Sequence, residues 1–335
     1  MMILALSFAL AFVLGFSAHR AGICTVAAVA EVITSRTART FSSFLKVVLW
    51  VLLINGIAAM LAPGVMKPYS APVFSIYTIA GGLLFGIGAA INGGCSFSTI
   101  SRIAQGDVHF ALTLPAFVLG AISAREFSPG RADASASLYA IDFSDIPLIL
   151  LAVIFLWALV ELYRILRSVA AAGIVRSITG KRYRLSSAAA LIGLSSGFLY
   201  IFQGRWAYSS KILDYFAVDP APPFIGTTAS YLILALLAGA VTSALSNRQF
   251  KASFAGNRWY RNMAGGFLMG LGAMLVPGGN GMLILHDLPH LSLQATIAYM
   301  AMVSGITLSL LMEKRLFGRI DVVSCADDKC SLAKS

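Results

Sequence analysis

Long apolar runs dominate this chain and leave few folds open to it. Residues 41–62, 73–91, 146–163, 227–245 and 291–312 each hold roughly 18 or more mostly apolar positions, enough for a helix to cross ~30 Å of hydrocarbon. Strands of a membrane barrel are about 10 residues long and alternate in polarity; these runs do neither. The chain therefore reads as an all-α polytopic membrane protein. Of 335 residues, 58% are hydrophobic and 12% charged, against about 25% charged in a soluble chain, and the mean hydropathy is +0.83.

Net charge is +11. The basic residues stand in loops between apolar runs, where they set orientation, so nucleic acid is not an expected partner. Met1 to Phe16 resembles a signal peptide but lacks a basic start, and His19-Arg20 follows where a small-residue cleavage site belongs; it is read as a retained first span. Nine spans are expected, at about 2–18, 41–62, 73–92, 109–124, 146–166, 186–203, 227–246, 262–276 and 291–312. Four segments between them, 20–34, 93–104, 205–217 and 278–288, are too short or too glycine-broken to cross and too apolar for ordinary loops.

Loop 164–184 carries Arg164, Arg167, Arg176, Lys181, Arg182 and Arg184, loop 247–261 carries Arg248, Lys251, Arg258 and Arg261, and Lys314, Arg315 and Arg319 follow the last span. These belong in the cytoplasm. Loops 125–145 and 218–226, with Glu126, Asp133, Asp142, Asp145 and Asp219 against Arg125 and Arg131, belong outside. The expectation is a bacterial inner-membrane protein with its N-terminus outside and its C-terminus in the cytoplasm.

The chain also repeats itself. Gly81-Gly82-Leu-Leu-Phe-Gly86-Ile-Gly88-Ala89 matches Gly265-Gly266-Phe-Leu-Met-Gly270-Leu-Gly272-Ala273, and Gly93-Gly94-Cys95 matches Gly278-Gly279-Asn280 after one inserted residue, Pro277. More loosely, Arg20 to Cys24 parallels Arg205 to Ser209. Each half becomes span, half-helix, two spans, half-helix, span, giving two repeats at 1–124 and 186–320. Between them, 125–185 is a linker with the fifth span and a basic loop, and a polar tail, 321–335, follows. An odd number of crossings separates equivalent elements, so the repeats are inverted. Inverted repeats with broken helices are a transporter pattern, with the site where the repeats meet. The first two half-helices then enter from the cytoplasm and the last two from outside.

Candidate chemistry gathers at the breaks. Cys24 lies in Arg20-Ala-Gly-Ile-Cys24-Thr25 and Cys95 in Asn92-Gly-Gly-Cys95-Ser96-Phe-Ser98. Glycines let backbone approach a ligand, and a half-helix starting there aims N–H groups and its positive dipole end at an anion. A buried cysteine is also simply a small hydrophobe. Arg20, Arg102 and Arg205 flank the breaks, as functional intramembrane charges or as snorkelling interfacial ones; Arg102 and Asp107 can pair. Asn280 can donate to an anion or cap its helix, and His286 can relay protons or make a structural bond.

The glycine-rich spans contain Gly82-x-x-x-Gly86 and Gly266-x-x-x-Gly270, a close-packing pattern; no strand precedes them, which excludes a nucleotide fingerprint. Cys24, Cys95, Cys325 and Cys330 have no zinc spacing. No metal or cofactor is expected. The tail, Asp321–Ser335, reads as disordered, with Cys325 and Cys330 available for thiol exchange with a cytoplasmic partner.

Arg20-x-x-x-Cys24, the Gly-x-Gly span ending in Asn92-Gly-Gly-Cys95, and Pro277-Gly-Gly-Asn280 together resemble the YeeE/YedE family of sulfur-compound transporters, over nearly the whole chain. The resemblance implies an hourglass of inverted repeats narrowed by re-entrant segments, with cysteines lining a thiosulfate path. Cys24 and Cys95 match two of those cysteines; no cysteine lies between 96 and 324, so the third has no counterpart, and other sulfur oxyanions or selenium species stay open. The expected function is uptake of a small inorganic sulfur anion, not enzymatic catalysis. The expected path residues are Cys24, Cys95, Arg20, Asn92, Ser96, Arg102, Arg205, Ser209 and Asn280. The expected partners are the anion, the lipid bilayer and a cytoplasmic sulfur carrier. The alternative is a membrane sulfur relay that hands sulfur to a cytoplasmic acceptor.

Overall fold

The computed structural model describes residues 2–62, 64, 69, 74–127, 143, 146–218, 227–253, 259–318, 323–326 and 328–332. Of the loop charges used to orient the chain, Arg131, Asp133, Asp142, Asp145, Asp219, Arg258 and Arg319 lie outside these residues.

The protein is an all-α polytopic membrane protein. Its first half runs α1 (Met2–Ala21), α2 (Thr25–Ser35), α3 (Arg39–Leu61), α4 (Ile76–Asn92), α5 (Ser96–Ala104), a 3-10 turn (Val108–Leu112) and α6 (Thr113–Ser123). Then come α7 (Leu148–Ala172) and the short α8 (Ile174–Thr179). The second half runs α9 (Leu185–Gln203), α10 (Tyr208–Leu213), α11 (Thr228–Ser246), α12 (Trp259–Leu275), α13 (Gly279–Met282) and α14 (Leu293–Phe317). Both α10 and α13 run on into a π turn, Asp214–Val218 and Leu283–Asp287. By length and composition, seven stretches qualify as crossings, and α12 with the bent segment Gly279–Asp287 makes an eighth. The ninth expected span, near 109–124, is instead a shorter apolar helix, Val108–Ser123.

Each expected half-helix is present, and each starts after a glycine turn. Gly22, Gly93, Gly204 and Gly278 have φ of 62°, 76°, 74° and 118°, a left-handed backbone that glycine adopts without a Cβ clash. The turn interrupts the helix and leaves backbone N–H groups inside the protein, where such irregular backbone is tolerated; at Gly278 the two pieces meet at 45°.

The glycine stripes hold the two halves together in matching ways. A Cβ on Gly86 would stand 2.1 Å from the Met302 carbonyl oxygen of α14, and one on Gly270 would stand 1.9 Å from the Phe117 carbonyl oxygen of α6. A Cβ on Gly88 would meet the Gly265 oxygen at 2.7 Å, and one on Gly272 the Gly81 oxygen at 2.5 Å. Likewise Gly15 of α1 abuts Leu236 of α11, and Gly239 of α11 abuts Phe12 of α1. Small residues let helix backbones touch where lipid supplies no hydrophobic drive. Helix α4 thus packs on α12 and α14, and α12 on α6; α1 packs on α9 and α11, and α3 on α9.

Helix α7 lies mostly exposed beside this core, as a lipid-facing helix does. Its buried Glu161 pairs with Lys46 of α3, which also donates to Ser186 of α9 at 2.7 Å. Removing one partner of such a buried pair costs about 3–5 kcal/mol.

The tail departs from expectation. Val323–Ala326 and Lys329–Leu332 pair as an antiparallel hairpin, β1 and β2, with Cys325 opposite Cys330. Its turn docks on the start of α9: Leu185 N–H donates to the Asp328 carbonyl at 2.7 Å and Ser186 N–H to the Asp328 carboxylate at 3.1 Å. Those are donors a helix start leaves unpaired, so Asp328 caps α9 from a distance in sequence. Strand β1 also packs against α2.

Candidate functional site

The two thiols meet. Cys24 and Cys95 are the N-cap residues of α2 and α5, and both are buried. The Thr25 N–H points to the Cys95 sulfur at 3.4 Å and the Cys95 N–H to the Cys24 sulfur at 3.5 Å. The Cys95 sulfur therefore occupies the first N–H of α2, and the Cys24 sulfur the N-cap N–H of α5, positions that favour electron-rich groups.

The second-half breaks reach the same place. Thr25 Oγ1 lies 3.2 Å from Asn280 Oδ1, Tyr208 OH donates to the Ser96 carbonyl at 2.6 Å, and Ser209 Oγ donates to the Gly278 carbonyl at 2.9 Å. Gly281 stands between the halves: a Cβ there would lie 3.8 Å from Ala207 Cβ, Ser209 Oγ and Ser96 Oγ. Cys24, Cys95, Ser96, Ser209 and Asn280 thus form one cluster at the starts of four half-helices.

Two donors in that cluster are unspent. Ser96 Oγ and Asn280 Nδ2 are buried and have no hydrogen-bond partner among the described residues. Buried polar groups are nearly always bonded, and exceptions call for an explanation. Both are groups that can donate to an anion. Beside them lies a small apolar cavity of about 20 Å³, lined by Phe97, Ile100, Trp206, Tyr208, Leu236 and Gly281 among others. That is room for about one water.

Asn92 plays a different part. Its Oδ1 accepts from Thr113 Oγ1 at 2.9 Å and Asn262 Nδ2 at 2.8 Å, and its Nδ2 donates to the Gly94 carbonyl at 2.9 Å and to Thr99 Oγ1 at 3.2 Å. Its amide is fully spent, and it ties the Cys95 turn to α6 and α12.

The arginines stand at the rims. Arg20 donates to Ser243 at 3.1 Å, to Ser246 at 2.8 Å and to the Gly180 carbonyl, with Phe16 and Tyr183 rings about its guanidinium. Gln105 reaches His19 on this face, and Lys251 N–H reaches the Gln105 carbonyl. Arg102 sits over the Phe110 ring at 5.8 Å. Among the described residues it makes no ion pair with Asp107. Burial and, second, the neighbouring Arg102 lower the pKa of Arg182 in the loop before α9, while burial pushes the Tyr183 hydroxyl up.

Arg205 stands at the opposite face, at the far end of α9, bonded to Asp287 at 2.7 Å. His286 makes a structural bond, Nε2 to the Trp206 carbonyl at 2.6 Å.

Sequence reasoning missed Thr25, Tyr208 and Asp287. Thr25 and Tyr208 each adjoin a chosen residue at a break, which was the available signal. The partner of Arg205 is 82 positions away in the chain, and no local pattern points to it.

Among curated proteins none matches the chain. The sulphur transport family matches it over residues 20–308, a span that takes in all four breaks. The chain belongs to that family, and it is a multi-pass membrane protein of sulphur transport.

Proposed function

We propose that the protein takes up a small inorganic sulfur anion, thiosulfate foremost, along a path through the Cys24–Cys95 pair. One observation carries this reading: reciprocal N–H···S contacts at two half-helix starts, with the unspent donors Ser96 and Asn280 beside them. Helix starts and free donors stabilise negative charge. Thiol S–H groups are weak donors suited to the polarizable sulfur end of thiosulfate. Weak serial sites also suit conduction, which needs release as well as binding. The reading requires neutral thiols, since a thiolate would repel a dianion.

In this reading the path residues are Arg20, Arg102 and Arg205 at the rims, Cys24, Cys95, Ser96, Ser209 and Asn280 within, and Asn92 as the brace of the Cys95 turn. Residues 1–124 and 186–320 are the inverted repeats, and the matched glycine contacts support that division. The Arg20 face, which gathers loops 105–107, 180–184 and 247–253, is cytoplasmic in a bacterial inner membrane, with the N-terminus outside and the C-terminus inside. Half-helices α2 and α5 enter from that face, α10 and α13 from the other. The protein acts as a transporter rather than an enzyme and delivers its anion to a cytoplasmic sulfur carrier.

Labelled thiosulfate uptake under sulfur limitation tests this with Cys24→Ala and Cys95→Ala. Loss of uptake in each is expected. Native uptake in both would remove the thiols from the path, and no thiosulfate uptake by the intact protein would remove the substrate. A second reading, a sulfur relay, draws on the facing positions of Cys325 and Cys330 in the docked hairpin.

A further inference from the structure

The two repeat-related arginines are held differently. Arg20 is bonded by hydroxyls and a carbonyl, and among the described residues no carboxylate pairs with it. Arg205 is paired with Asp287, whose side chain is fully buried. The Tyr69 hydroxyl donates to the same Asp287 oxygen at 3.0 Å, and the Arg205 guanidinium stands 5.4 Å from the Tyr69 ring centroid. Asp287 Oδ2 and the Trp206 indole N–H are buried and have no hydrogen-bond partner among the described residues. A buried ion pair adds little net stability over apolar packing, so stability alone does not account for a carboxylate at one arginine and not the other.

We infer that Asp287 is a tethered counter-anion on an anion-binding site at the Arg205 guanidinium. The ligand is a divalent sulfur oxoanion, which displaces the Asp287 carboxylate from the guanidinium. This inference rests on the proposed transport reading, in which the Arg205 face receives the ion. A guanidinium binds a carboxylate or an oxoanion with the same planar set of donors, so the two compete for one position. Without the competitor, a half-buried guanidinium would hold a dianion tightly and slow its release, against the need of a path to let go. The location fits a transfer role. Trp206, Ala207 and Tyr208 follow Arg205 directly and line the small cavity at Gly281, and Tyr208 bonds the Ser96 carbonyl beside the thiol pair.

The test uses the full-length purified protein in nanodiscs. Thiosulfate and sulfate binding are titrated at constant ionic strength set with chloride, and uptake is measured in parallel. Asp287→Asn is expected to tighten thiosulfate binding about tenfold, within the usual range for two coupled ligands, and to slow uptake at saturating thiosulfate. Arg205→Gln is expected to lose the binding. Binding by a natively melting Asp287→Asn protein that is unchanged or weaker would overturn the inference. If Asp287→Asn fails to fold, Tyr69→Phe decides. Losing the tyrosine donor leaves the carboxylate wholly to Arg205 and should weaken thiosulfate binding; unchanged or tighter binding overturns the inference. A wild-type protein that neither binds nor moves sulfur anions overturns the transport reading, and the inference with it. Wild-type uptake, with Asp287→Asn and Arg205→Gln both binding as wild type does, overturns the counter-anion alone.

Discussion

Gly281→Ala separates a path from a mere packing contact. The added Cβ would meet nothing closer than 3.8 Å, with Ala207, Ser209 and Ser96 at that distance. It fits without strain, and replacing glycine by alanine at a compatible backbone stabilises by about 0.4–1 kcal/mol through the unfolded chain. The melting temperature should therefore hold or rise slightly. The methyl nonetheless enters the space beside a cavity of about 20 Å³, which has to dilate before an anion larger than water can pass. Forcing an ion past one extra methyl in a packed interior costs about 1–3 kcal/mol, which is about 5–150-fold in rate. The assay pairs a thermal melt with labelled thiosulfate uptake per folded molecule. A native melt with native uptake would refute the reasoning, because the ion would then not pass Gly281.

Two further outcomes follow from the packing. Gly270→Ala places a Cβ 1.9 Å from the Phe117 carbonyl oxygen, where ordinary contact begins at 3.4 Å; α6 has to retreat, and a cost of about 1–3 kcal/mol or more is expected as a lowered melting temperature. Deleting 321–335 removes the Asp328 cap on α9, worth about 1 kcal/mol; thiosulfate uptake should persist, whereas a relay dependent on the tail thiols would stop.

Spans and breaks were legible because they are written in local composition. An apolar run long enough to cross announces itself, and a glycine pair that interrupts it marks where the backbone must turn. The span count is less legible: at 109–124 the apolar content shows in sequence, but the use of residues 108–112 in a 3-10 turn, which shortens the helix, does not. The site was half legible. Cys24 and Cys95 stand out beside glycine, yet nothing in sequence says that each sulfur faces the other's half-helix. Asn92 looked like a ligand group, and only the placement of Thr113 and Asn262 shows its amide consumed. The tail reads as disordered by composition. Its hairpin docks because Asp328 meets the bare N–H groups of α9, a long-range match that composition does not encode.

The matched backbone and the unmatched chemistry of the two halves have one cause. Helices that touch through glycine do so backbone to backbone, so Gly86 and Gly270, or Gly88 and Gly272, fix the spacing of the halves without specifying any side chain. The positions at the breaks carry little of that packing load and are free to differ. In the first half they carry thiols, Cys24 and Cys95; in the second they carry Ser209 and Asn280. The Thr25–Asn280 contact at 3.2 Å joins the two sets. Under the proposed orientation, an ion from outside meets hydroxyl and amide groups before it meets sulfur. Strong oxygen-directed donors would then desolvate the oxyanion end first and leave the weaker thiols to the sulfur end, an order that favours binding on the outer side and release on the inner.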